Sequence, residues 1–491
     1  MRRRTFCQSA LAAAVSTSLS ACGARQQAGD PGPTISAVSM DGNELSIESA
    51  AVEELRGSLN GRLFLQNDEG YETAKQVWNG MFDHKKPAMV AQCTSAGDVV
   101  EAVNFARERG LLVSVKGGGH SFPGKSTSDG GLMIDLSQMQ AVDVDVDGMT
   151  ARVGGGALLG HVDSATLPHN LVTTTGTVSH TGVGGFTLGG GMGRTDRMTG
   201  LAVDNLLQAT VVTASGDVVR AREDENPDLL WGLRGGGGNF GVVTEFVFQL
   251  HPFNPTVYGG DLIYAVDADS LQLYAELQAN APNEANIEPF FVPGEDGKMI
   301  NVVGVVWSGD HAAGEKTLAP LLNHSSLLAG ELGPKSYQVI QTAWDGATAH
   351  GQQNYLKSGY FDELTPEIIE IIVDYVHRGG TASWFQHLGG RTATVAPDAT
   401  AFAHRNVALN FGIGYASDDP SLNEAGIAAV REFYYALEPH MAGFYANLHQ
   451  QDSTDKISST YGPNHARMVE LKNKYDPTNL FRLNANVQPN V

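Results

Sequence analysis

The sequence predicts an α+β protein with more than one domain. Segments with strand and helix patterns alternate up to about Pro252, and glycine clusters lie between them. From about Asn254 the glycine clusters cease, and strand-like segments are accompanied by helical patterns over residues 366–376 and 423–437. The chain of 491 residues is also longer than one domain usually is. We therefore expect two different domains, with the glycine-rich one first.

The N-terminal segment has the pattern of an export signal. Three arginines, at positions 2–4, precede an apolar stretch over residues 10–19, which is too short to span a membrane. A Leu-Ser-Ala-Cys box follows and ends at Cys22. This pattern predicts a twin-arginine signal over residues 1–21 and a lipid on Cys22, although a plain signal peptidase would instead release the chain. We expect a periplasmic or cell-surface protein whose residues 22–47 form a disordered tether.

The net charge limits the expected binding partners, and the cysteine count limits the expected disulfides. The formal net charge is −22, and loss of the three signal arginines would lower it by three to −25. Such a charge argues against nucleic acid and anionic membrane surfaces, so we expect membrane contact only through a lipid on Cys22. The chain has three cysteines, Cys7, Cys22 and Cys93. Only one of them lies in the interior of the mature chain, so we expect no intrachain disulfide.

Two glycine segments match nucleotide-binding motifs, but the residues that follow them do not. Residues 119–126 satisfy the P-loop pattern, yet the strand pattern over 132–136 follows where a helix is required. Residues 236–241 satisfy the dinucleotide fingerprint, yet residues 242–248 continue as a strand. Neither segment is therefore predicted to bind a nucleotide in those ways.

A helix and a hairpin can also be placed in the first domain. The helix begins near Thr94 or Ser95 and ends at Gly110. Residues 143–148 copy the first half of a calcium-binding loop, but Gly154 stands where a bidentate Glu is required. Alternating valines around an Asp-Gly turn predict a β-hairpin there instead.

Four glycine clusters lie in the first domain, at residues 117–119, 154–156, 182–193 and 235–238. The first cluster follows a strand-like segment and is followed directly by His120. Consecutive glycines let backbone N–H groups converge into an anion-binding nest. Any single cluster is more simply explained by tight turns. Four clusters together indicate a long ligand that lies against the backbone over much of its length.

Several motifs occur in an order that is typical of one family. They lie at residues 87–120, 176–191, 200–205, 231–244, 461–464 and 471–482. Together they resemble the vanillyl-alcohol oxidase superfamily, in its berberine-bridge-enzyme-like branch, from about Arg62 to the C-terminus. The resemblance implies a two-lobed, PCMH-type FAD-binding domain at residues 48–253 and a substrate domain at 254–459. The substrate domain would be an antiparallel sheet backed by helices, and residues 460–491 would return to the FAD domain.

The same resemblance implies FAD attached covalently to His120 through the C8 methyl group. Many members add a second attachment through a Cys at the position that is Val178 here, so a bacterial, mono-covalent type is implied. No metal site is expected. The implied cofactor-binding residues are His120, Gly117, Gly118, Gly119, Ser121, Val178, Thr181, Gly182, Gly184, Gly185, Asn239, Gly241, Val243 and Asn486.

Candidate catalytic residues lie near the end of the substrate domain. Relatives commonly present two tyrosines in a Tyr-x-Asn-Tyr segment, and this chain keeps the first as Tyr445 and has Leu in place of the second. Tyr445 is the leading candidate for a base, although a phenol with a pKa near 10 serves as one only if its surroundings lower that pKa. A buried structural tyrosine is an equal alternative. His449 is the next candidate, followed by His404 and Tyr461. Arg391 could orient an anionic substrate, although a surface or inter-domain ion pair is its more ordinary role.

We expect an exported FAD-dependent oxidoreductase that takes a hydride from a hydroxyl-bearing small molecule, such as a sugar, an oligosaccharide or a metabolite alcohol. Molecular oxygen is the expected electron acceptor. The position that helps control oxygen access in relatives is Thr181, so another acceptor, and hence a dehydrogenase, stays open. The alternatives are a biosynthetic enzyme for oxidative cyclisation or amine oxidation, and a flavin-binding envelope protein without catalytic activity.

Overall fold

The computed structural model describes residues 33–450 and 457–490, so the predicted export signal and Cys22 lie outside the described residues. The first lobe consists of β1 (Thr34–Val38), β2 (Glu44–Glu48), α1 (Ser49–Ser58), β3 (Arg62–Leu65), α2 (Tyr71–Ala74), β4 (Met89–Gln92), α3 (Ala96–Arg109), β5 (Val113–Lys116) and β6 (Leu132–Asp135). Its main sheet has the order β3-β4-β6-β5, in which β6 is parallel to both β4 and β5. Cys93 is buried in this lobe as a free thiol.

The segment before α1 forms a β-hairpin, so the expectation of a disordered tether is wrong for residues 33–47. Strand β1 pairs antiparallel with β2 along its whole length. Ala37 and Ile47 are buried in the core of the first lobe, and Val38 N donates to Gly130 O at 2.8 Å. The apolar residues of this hairpin alternate with polar ones and face the core. That short alternation is masked in the sequence by the Gly, Ser and Pro around it.

Helix α3 has the caps that its sequence predicts. Ser95 Oγ accepts from Asp98 N at 3.2 Å, and Gly110 ends the helix with φ of 63°. After β5 the chain passes through a loop into β6. This confirms that residues 119–126 do not lead into a helix as a P-loop does.

The second lobe is built around an antiparallel sheet. It consists of β7 (Val142–Asp145), β8 (Thr150–Gly154), α4 (Leu159–Thr166), β9 (Leu171–Val172), α5 (Val183–Leu188), α6 (Asp196–Thr199), β10 (Leu206–Val212), β11 (Val218–Arg222), α7 (Pro227–Leu233), β12 (Val242–Gln249) and β13 (His251–Pro252). The sheet order is β11-β10-β12-β8-β7. The pairing of β7 with β8 confirms the predicted hairpin, and β12 confirms a strand after the glycines at 236–241.

The third layer is an eight-stranded antiparallel sheet with helices beside it. Its elements are β14 (Thr256–Tyr264), α8 (Ala268–Asn280), β15 (Ala285–Pro293), β16 (Met299–Trp307), α9 (His311–Leu322), β17 (Leu327–Gly330), β18 (Gly333–Ser336), α10 (Tyr337–Gln341), β19 (Gln353–Phe361), α11 (Pro366–Arg378), β20 (Ala382–His387), β21 (Leu409–Ser417) and α12 (Asn423–Leu437). The order is β17-β14-β16-β15-β20-β21-β19, and β18 also pairs with β14.

The two faces of this large sheet have different partners. Phe291, Phe385 and Phe411 point to one face and pack with apolar residues of α8, α11 and α12 in a common core. Because side chains alternate along a strand, the neighbouring residues of β15, β20 and β21 point to the other face. That second face is turned toward the first domain and forms part of a cavity.

The C-terminal segment returns to the first domain. It contains α13 (Ile457–Tyr461) and α14 (His465–Tyr475). Lys472 is fully buried, and its Nζ donates to Asn239 O and Phe481 O, both at 2.9 Å, and to Asp476 Oδ2 at 2.7 Å. These bonds tie the segment to the glycine-rich part of the second lobe. In the part of the chain that the structure describes, no helix is long and apolar enough to cross a membrane.

Candidate active site

A cavity of about 640 Å³ lies where the two lobes of the first domain meet the large sheet. One wall, which we call the glycine wall, is mainly backbone from the glycine clusters at residues 117–119, 182–189 and 235–241. The other, which we call the sheet wall, is formed by side chains of β15, β19, β20 and β21 together with Trp344. The volume lies within the roughly 300–1,000 Å³ that is usual for ligand and cofactor sites.

The glycine wall needs glycine for two different reasons. A Cβ on Gly118 would lie 2.4 Å from Gly182 N, so the backbones of two clusters touch and leave no room for a side chain. A Cβ on Gly185 or Gly238 would meet no atom of the described residues within 4 Å, and both glycines line the cavity. The first pair holds the wall together, and the second leaves the backbone open to a ligand.

His120 lines the cavity with its ring held in a stack. The ring centroid lies 4.1 Å from that of Trp78, and the two planes differ by 16°. Burial, and then the proximity of His180 and His350, keeps the pKa of His120 well below its usual value, so the imidazole is neutral. Its Nε2 is buried without a hydrogen-bond partner among the described residues. A neutral imidazole with an unpaired nitrogen is able to act as a nucleophile toward a bound group.

Tyr445 also lines the cavity. Its Oη accepts from Gly191 N at 2.9 Å and from Asn447 Nδ2 at 3.0 Å. These donors favour the charged phenolate, but burial outweighs them and raises the pKa of Tyr445 to about 12. Because both lone pairs are engaged, the hydroxyl proton is left for a third partner.

His449 lines the same cavity and is anchored to the backbone. Its Nδ1 lies 3.1 Å from Ser358 O, and its ring stacks on Phe444 at 4.2 Å. Ser358 N also approaches Nδ1, at 3.3 Å, so the backbone of Ser358 in β19 fixes the position of the ring.

The other predicted candidates have different positions. His404 does not line the cavity, and its ring stacks on Tyr360 at 4.6 Å. Tyr461 does line it, but its Oη donates to Ala485 O at 2.7 Å and so holds the C-terminal segment. Arg391 lies in a 3₁₀ turn after β20, outside the lining.

Aromatic and amide side chains form the sheet wall. Phe290 on β15 stacks on Trp344, with ring centroids 4.5 Å apart. Gln386 on β20 is held through its Oε1, which accepts from Asn410 Nδ2 at 2.8 Å. Trp384 lies two residues before Gln386 on the same strand and also lines the cavity. The sheet wall therefore offers flat apolar surfaces next to neutral hydrogen-bonding groups.

Charged side chains are almost absent from the cavity. Among the described residues that line it, Lys125 is the only Lys, Arg, Asp or Glu, and burial lowers its pKa. A cavity without a carboxylate disfavours a cationic ligand, because a buried charge needs a partner of opposite sign. Over residues 33–450 and 457–490, no group of three or more His, Cys, Asp or Glu side chains is placed to hold a metal ion.

Comparison with known proteins agrees with this architecture. A model described as "FAD binding domain" matches residues 87–222, and one described as "Berberine and berberine like" matches residues 444–488. An FAD-linked oxidoreductase of Dictyostelium discoideum is 33% identical over 466 residues, which cover 92% of this chain and 99% of that protein. The chain belongs to the berberine-like FAD-linked oxidoreductases.

Two further relatives of this oxidoreductase have narrower names. The (R)-6-hydroxynicotine oxidase of Paenarthrobacter nicotinovorans is 30% identical, and the match covers 88% of this chain and 97% of that protein. The solved structure of a chitooligosaccharide oxidase superposes with a TM-score of 0.79 at 27% identity, covering 90% of this chain and 100% of that one. The α+β fold with a two-lobed FAD domain is therefore confirmed.

The cavity of this FAD-linked oxidoreductase fits its cofactor. Open backbone at Gly185 and Gly238, the unpaired Nε2 of His120 and the volume of about 640 Å³ all suit a long ligand with a flat ring system. Most of the predicted cofactor residues line this space. They are His120, Gly117, Gly118, Gly119, Ser121, Val178, Thr181, Gly182, Gly184, Gly185, Gly241 and Val243.

Asn239 and Asn486 are predicted cofactor residues that do not line the cavity. Asn239 Nδ2 donates to Gly236 O at 2.7 Å and to Ala485 O at 3.1 Å, and its Oδ1 accepts from Val487 N at 3.0 Å. Its amide therefore joins the glycine wall to the C-terminal segment. Asn486 belongs to that segment.

The sheet wall contains the residues that sequence reasoning missed. Phe290, Trp344 and the β20 pair Trp384 and Gln386 come from three separate parts of the sequence and share no motif. A weak signal existed on β20, where Trp384 and Gln386 occupy alternate positions and so share one face of a strand. Trp78, which stacks on His120, was missed for the same reason.

Proposed function

We propose that the protein is an exported FAD-dependent oxidase that takes a hydride from a hydroxyl-bearing small molecule, such as a sugar, an oligosaccharide or a metabolite alcohol. Two similar proteins are named as a hydroxynicotine oxidase and a chitooligosaccharide oxidase. The observation that carries the proposal is Tyr445, whose oxygen is held by two donors inside a cavity lined almost entirely by uncharged groups. A phenol in this setting suits an uncharged hydroxyl substrate.

The side chains of the cavity divide the work of alcohol oxidation. FAD, when bound, supplies the two-electron acceptor for the hydride. Tyr445 takes the hydroxyl proton, and Gln386 and Asn447 lie among the lining residues as neutral partners for the hydroxyl-bearing end of the substrate. The pKa of Tyr445 is about 12. At any pH below that value, raising the pH by one unit increases the fraction of Tyr445 in the basic phenolate form tenfold. The chemical step is therefore faster at alkaline pH.

Covalent attachment of FAD through His120 is the second part of the proposal. The stack on Trp78 fixes the ring, and the lowered pKa keeps its nitrogen nucleophilic. Val178 occupies the position where many relatives have a second attachment, and Val cannot form one. Cys93 is buried in the first lobe, and burial raises the pKa of its thiol. A single covalent bond is the arrangement that these residues support.

Export and the electron acceptor complete the proposal. The arginines at 2–4 and the box ending at Cys22 support a twin-arginine signal and a lipid anchor, which suit a cofactor protein exported in its folded state. Molecular oxygen is the proposed acceptor, with Thr181 in the cavity lining at the position that affects oxygen access in relatives. The product of reoxidation would be hydrogen peroxide.

Anaerobic titration of the purified protein tests the substrate class. Chitooligosaccharides, other oligosaccharides, simple alcohols and amines are added in turn while the flavin absorption is followed. We expect bleaching by a hydroxyl compound and one hydrogen peroxide per oxidised molecule after air is admitted. Bleaching by amines alone would move the function to amine oxidation, and no bleaching by any compound would favour a flavin-binding protein without catalytic activity.

A denaturing gel tests the covalent bond. Flavin fluorescence is expected to stay with the wild-type polypeptide and to be lost in His120→Ala. His404→Ala is the matched control, because that histidine lies outside the cavity lining. Fluorescence that stays with the His120→Ala chain would contradict the assignment.

A further inference from the structure

Three histidine rings lie in a row that begins at His120 and continues through His180 to His350. The ring centroid of His180 is 5.0 Å from that of His120 and 5.1 Å from that of His350. His120 follows β5 and His180 precedes α5, so both belong to the first domain. His350 belongs to the loop between α10 and β19 of the substrate domain. The row therefore crosses the boundary between the two domains.

Hydrogen bonds from that loop define which nitrogen of His180 carries a proton. Thr348 Oγ1 lies 3.4 Å from His180 Nε2 and 3.0 Å from Trp344 O. A hydroxyl has one proton and a carbonyl only accepts, so Thr348 donates to Trp344 O and accepts from His180 Nε2. In the neutral ring the lone pair is then on Nδ1. This atom is buried and has no hydrogen-bond partner among the described residues.

The segments that carry His180 and Thr348 are held firmly. Ser179 donates to Asp345 twice, from N to Oδ1 at 2.8 Å and from Oγ to Oδ2 at 2.5 Å. Trp78, which stacks on His120, donates from Nε1 to Thr348 O at 2.7 Å. One loop of the substrate domain thus fixes both the ring that stacks on His120 and the ring next to it. His120 Nε2 and His180 Nδ1 are both buried without a hydrogen-bond partner among the described residues, so neither nitrogen is used in holding its ring in place.

We propose that His180 is the proton acceptor that assists the attachment of FAD to His120. This role rests on the covalent attachment proposed above. Attachment joins an imidazole nitrogen of His120 to the methyl carbon on C8 of FAD. One proton leaves that imidazole and one leaves the methyl carbon, and the electron pair of the broken C–H bond reduces the ring system. Dioxygen then takes the two electrons and two protons as hydrogen peroxide.

His180 is suited to the first of these proton transfers. It is the neighbour of His120 in the row, and its basic nitrogen is not engaged by any described residue. Its other nitrogen is held by Thr348, so protonation at Nδ1 gives a cation that is already hydrogen-bonded on one side. Because Thr348 belongs to the substrate domain, attachment follows the docking of that domain onto the first one.

The experiment compares the rate of attachment with the amount of FAD that is bound. Wild type, His180→Gln, His180→Gly and His350→Gln are produced in riboflavin-limited cells, so that they start without flavin, and are then purified and incubated with excess FAD. Total FAD is measured by absorbance, and the covalent part by fluorescence after acid precipitation. We expect His180→Gln to bind FAD fully and to attach it about 10²–10⁴-fold more slowly, which is the usual contribution of a positioned acid or base. Added imidazole should restore the rate in His180→Gly, which a purely structural role would not allow.

His350→Gln is the matched control, since this exposed ring packs against His180 at 5.1 Å, whereas the ring that packs against His120 is His180. It should attach FAD at the wild-type rate. Attachment by His180→Gln at the wild-type rate would overturn the role of His180, and so would a failure of that variant to bind FAD at all. If wild-type protein itself released its flavin on denaturation, this result would contradict the covalent attachment to His120. It would therefore also contradict the role of His180.

Discussion

The glycine wall and the sheet wall face the same cavity but are built from different material. In the glycine wall, Gly118 and Gly182 touch backbone to backbone, and Gly185 and Gly238 expose backbone to the ligand. In the sheet wall, side chains such as Trp344 and Gln386 project from separate strands and loops. Backbone contacts suit a cofactor that is common to a family. Side chains, which can be replaced without altering the fold, suit the recognition of a particular substrate.

This division of work makes Tyr445→Phe the most damaging single change for turnover. We expect kcat to fall about 10²–10⁴-fold, because the variant lacks the group that takes the hydroxyl proton. The content of bound FAD should change little, since the variant loses the bond to Gly191 N but leaves the glycines at residues 117–119, 182–189 and 235–241 in place. In the wild type, kcat should increase with pH through the alkaline range, because the pKa of about 12 leaves little of the basic form at neutral pH. Steady-state kinetics and flavin absorbance measure both effects.

Tyr360→Phe is the control for that change. Tyr360 is also a buried tyrosine and packs in the same apolar cluster as Tyr445, but it does not line the cavity. Its variant should keep most of the wild-type kcat. A parallel loss of FAD and of activity in Tyr445→Phe would show that the two walls are not separate in function.

The sequence predicts the two walls to very different extents. His120 and the glycines of its wall belong to continuous motifs, so their place in the site could be predicted from the resemblance. Helix α3 could also be predicted, because Ser95 and Gly110 are local capping signals. For Asn239, only the structure reveals that its amide is bonded to the backbone of Ala485 and Val487 in the C-terminal segment.

The sheet wall could not be predicted because it depends on strand pairing over long distances. Phe290 pairs with Trp384 across β15 and β20, which are about 90 residues apart in the chain. Nothing local to either residue shows that they share a face of one sheet. The hairpin at residues 34–48 was missed for the opposite reason, because a loop-like composition hid a short alternation of apolar residues.

Asp163 tests the contact between the domains that carry the two walls. Its Oδ1 accepts from Thr175 Oγ1 at 2.8 Å in the first domain, and its Oδ2 lies 3.4 Å from Gln341 Nε2 in the substrate domain. Burial raises the pKa of Asp163 to about 7. The folded protein thus keeps this proton to a higher pH than the unfolded chain does. Below about pH 4 the carboxyl is protonated in both states and does not lower the free energy of unfolding. Between about pH 4 and 7 only the unfolded chain loses the proton, so the free energy of unfolding decreases over this range.

Asp163→Asn should therefore stabilise the protein above pH 7, by up to about 4 kcal/mol, and have little effect near pH 4. Thermal denaturation of variant and wild type across this range measures the difference. The control is Glu276→Gln on the exposed side of α8, which removes one negative charge at the surface. A variant with the same pH dependence of Tm as the wild type would contradict the assignment of the shift to burial of Asp163.

Gly118→Ala and Gly185→Ala separate the two roles of glycine in the glycine wall. The new methyl group at Gly118 would lie 2.4 Å from Gly182 N, so we expect a loss of about 1–3 kcal/mol in stability together with poor FAD binding. At Gly185 the new methyl group would meet no described atom within 4 Å beyond its chain neighbours and its own helix backbone. Alanine is also favoured over glycine inside a helix such as α5, so we expect stability to be kept. FAD binding should still weaken, because the methyl group enters the cavity. Equal losses of Tm in both variants would refute this distinction.

Trp344→Ala should have the smallest effect and should appear only in substrate binding. Trp344 is partly exposed and stacks on Phe290, so it offers a flat apolar surface at the sheet wall. Loss of one such contact is worth about 0.5–1.5 kcal/mol, which corresponds to an increase in KM of about 2- to 12-fold. The exposed Val339 on α10 lies outside the lining, and Val339→Ala is the matched control.

In Trp344→Ala, the FAD content and the kcat at saturating substrate should not change. A larger increase in KM for longer oligosaccharides than for a monosaccharide would place Trp344 beyond the reacting sugar unit. A fall in kcat equal to the rise in KM would instead show that the sheet wall acts on the chemical step, and the separation of the two walls would fail.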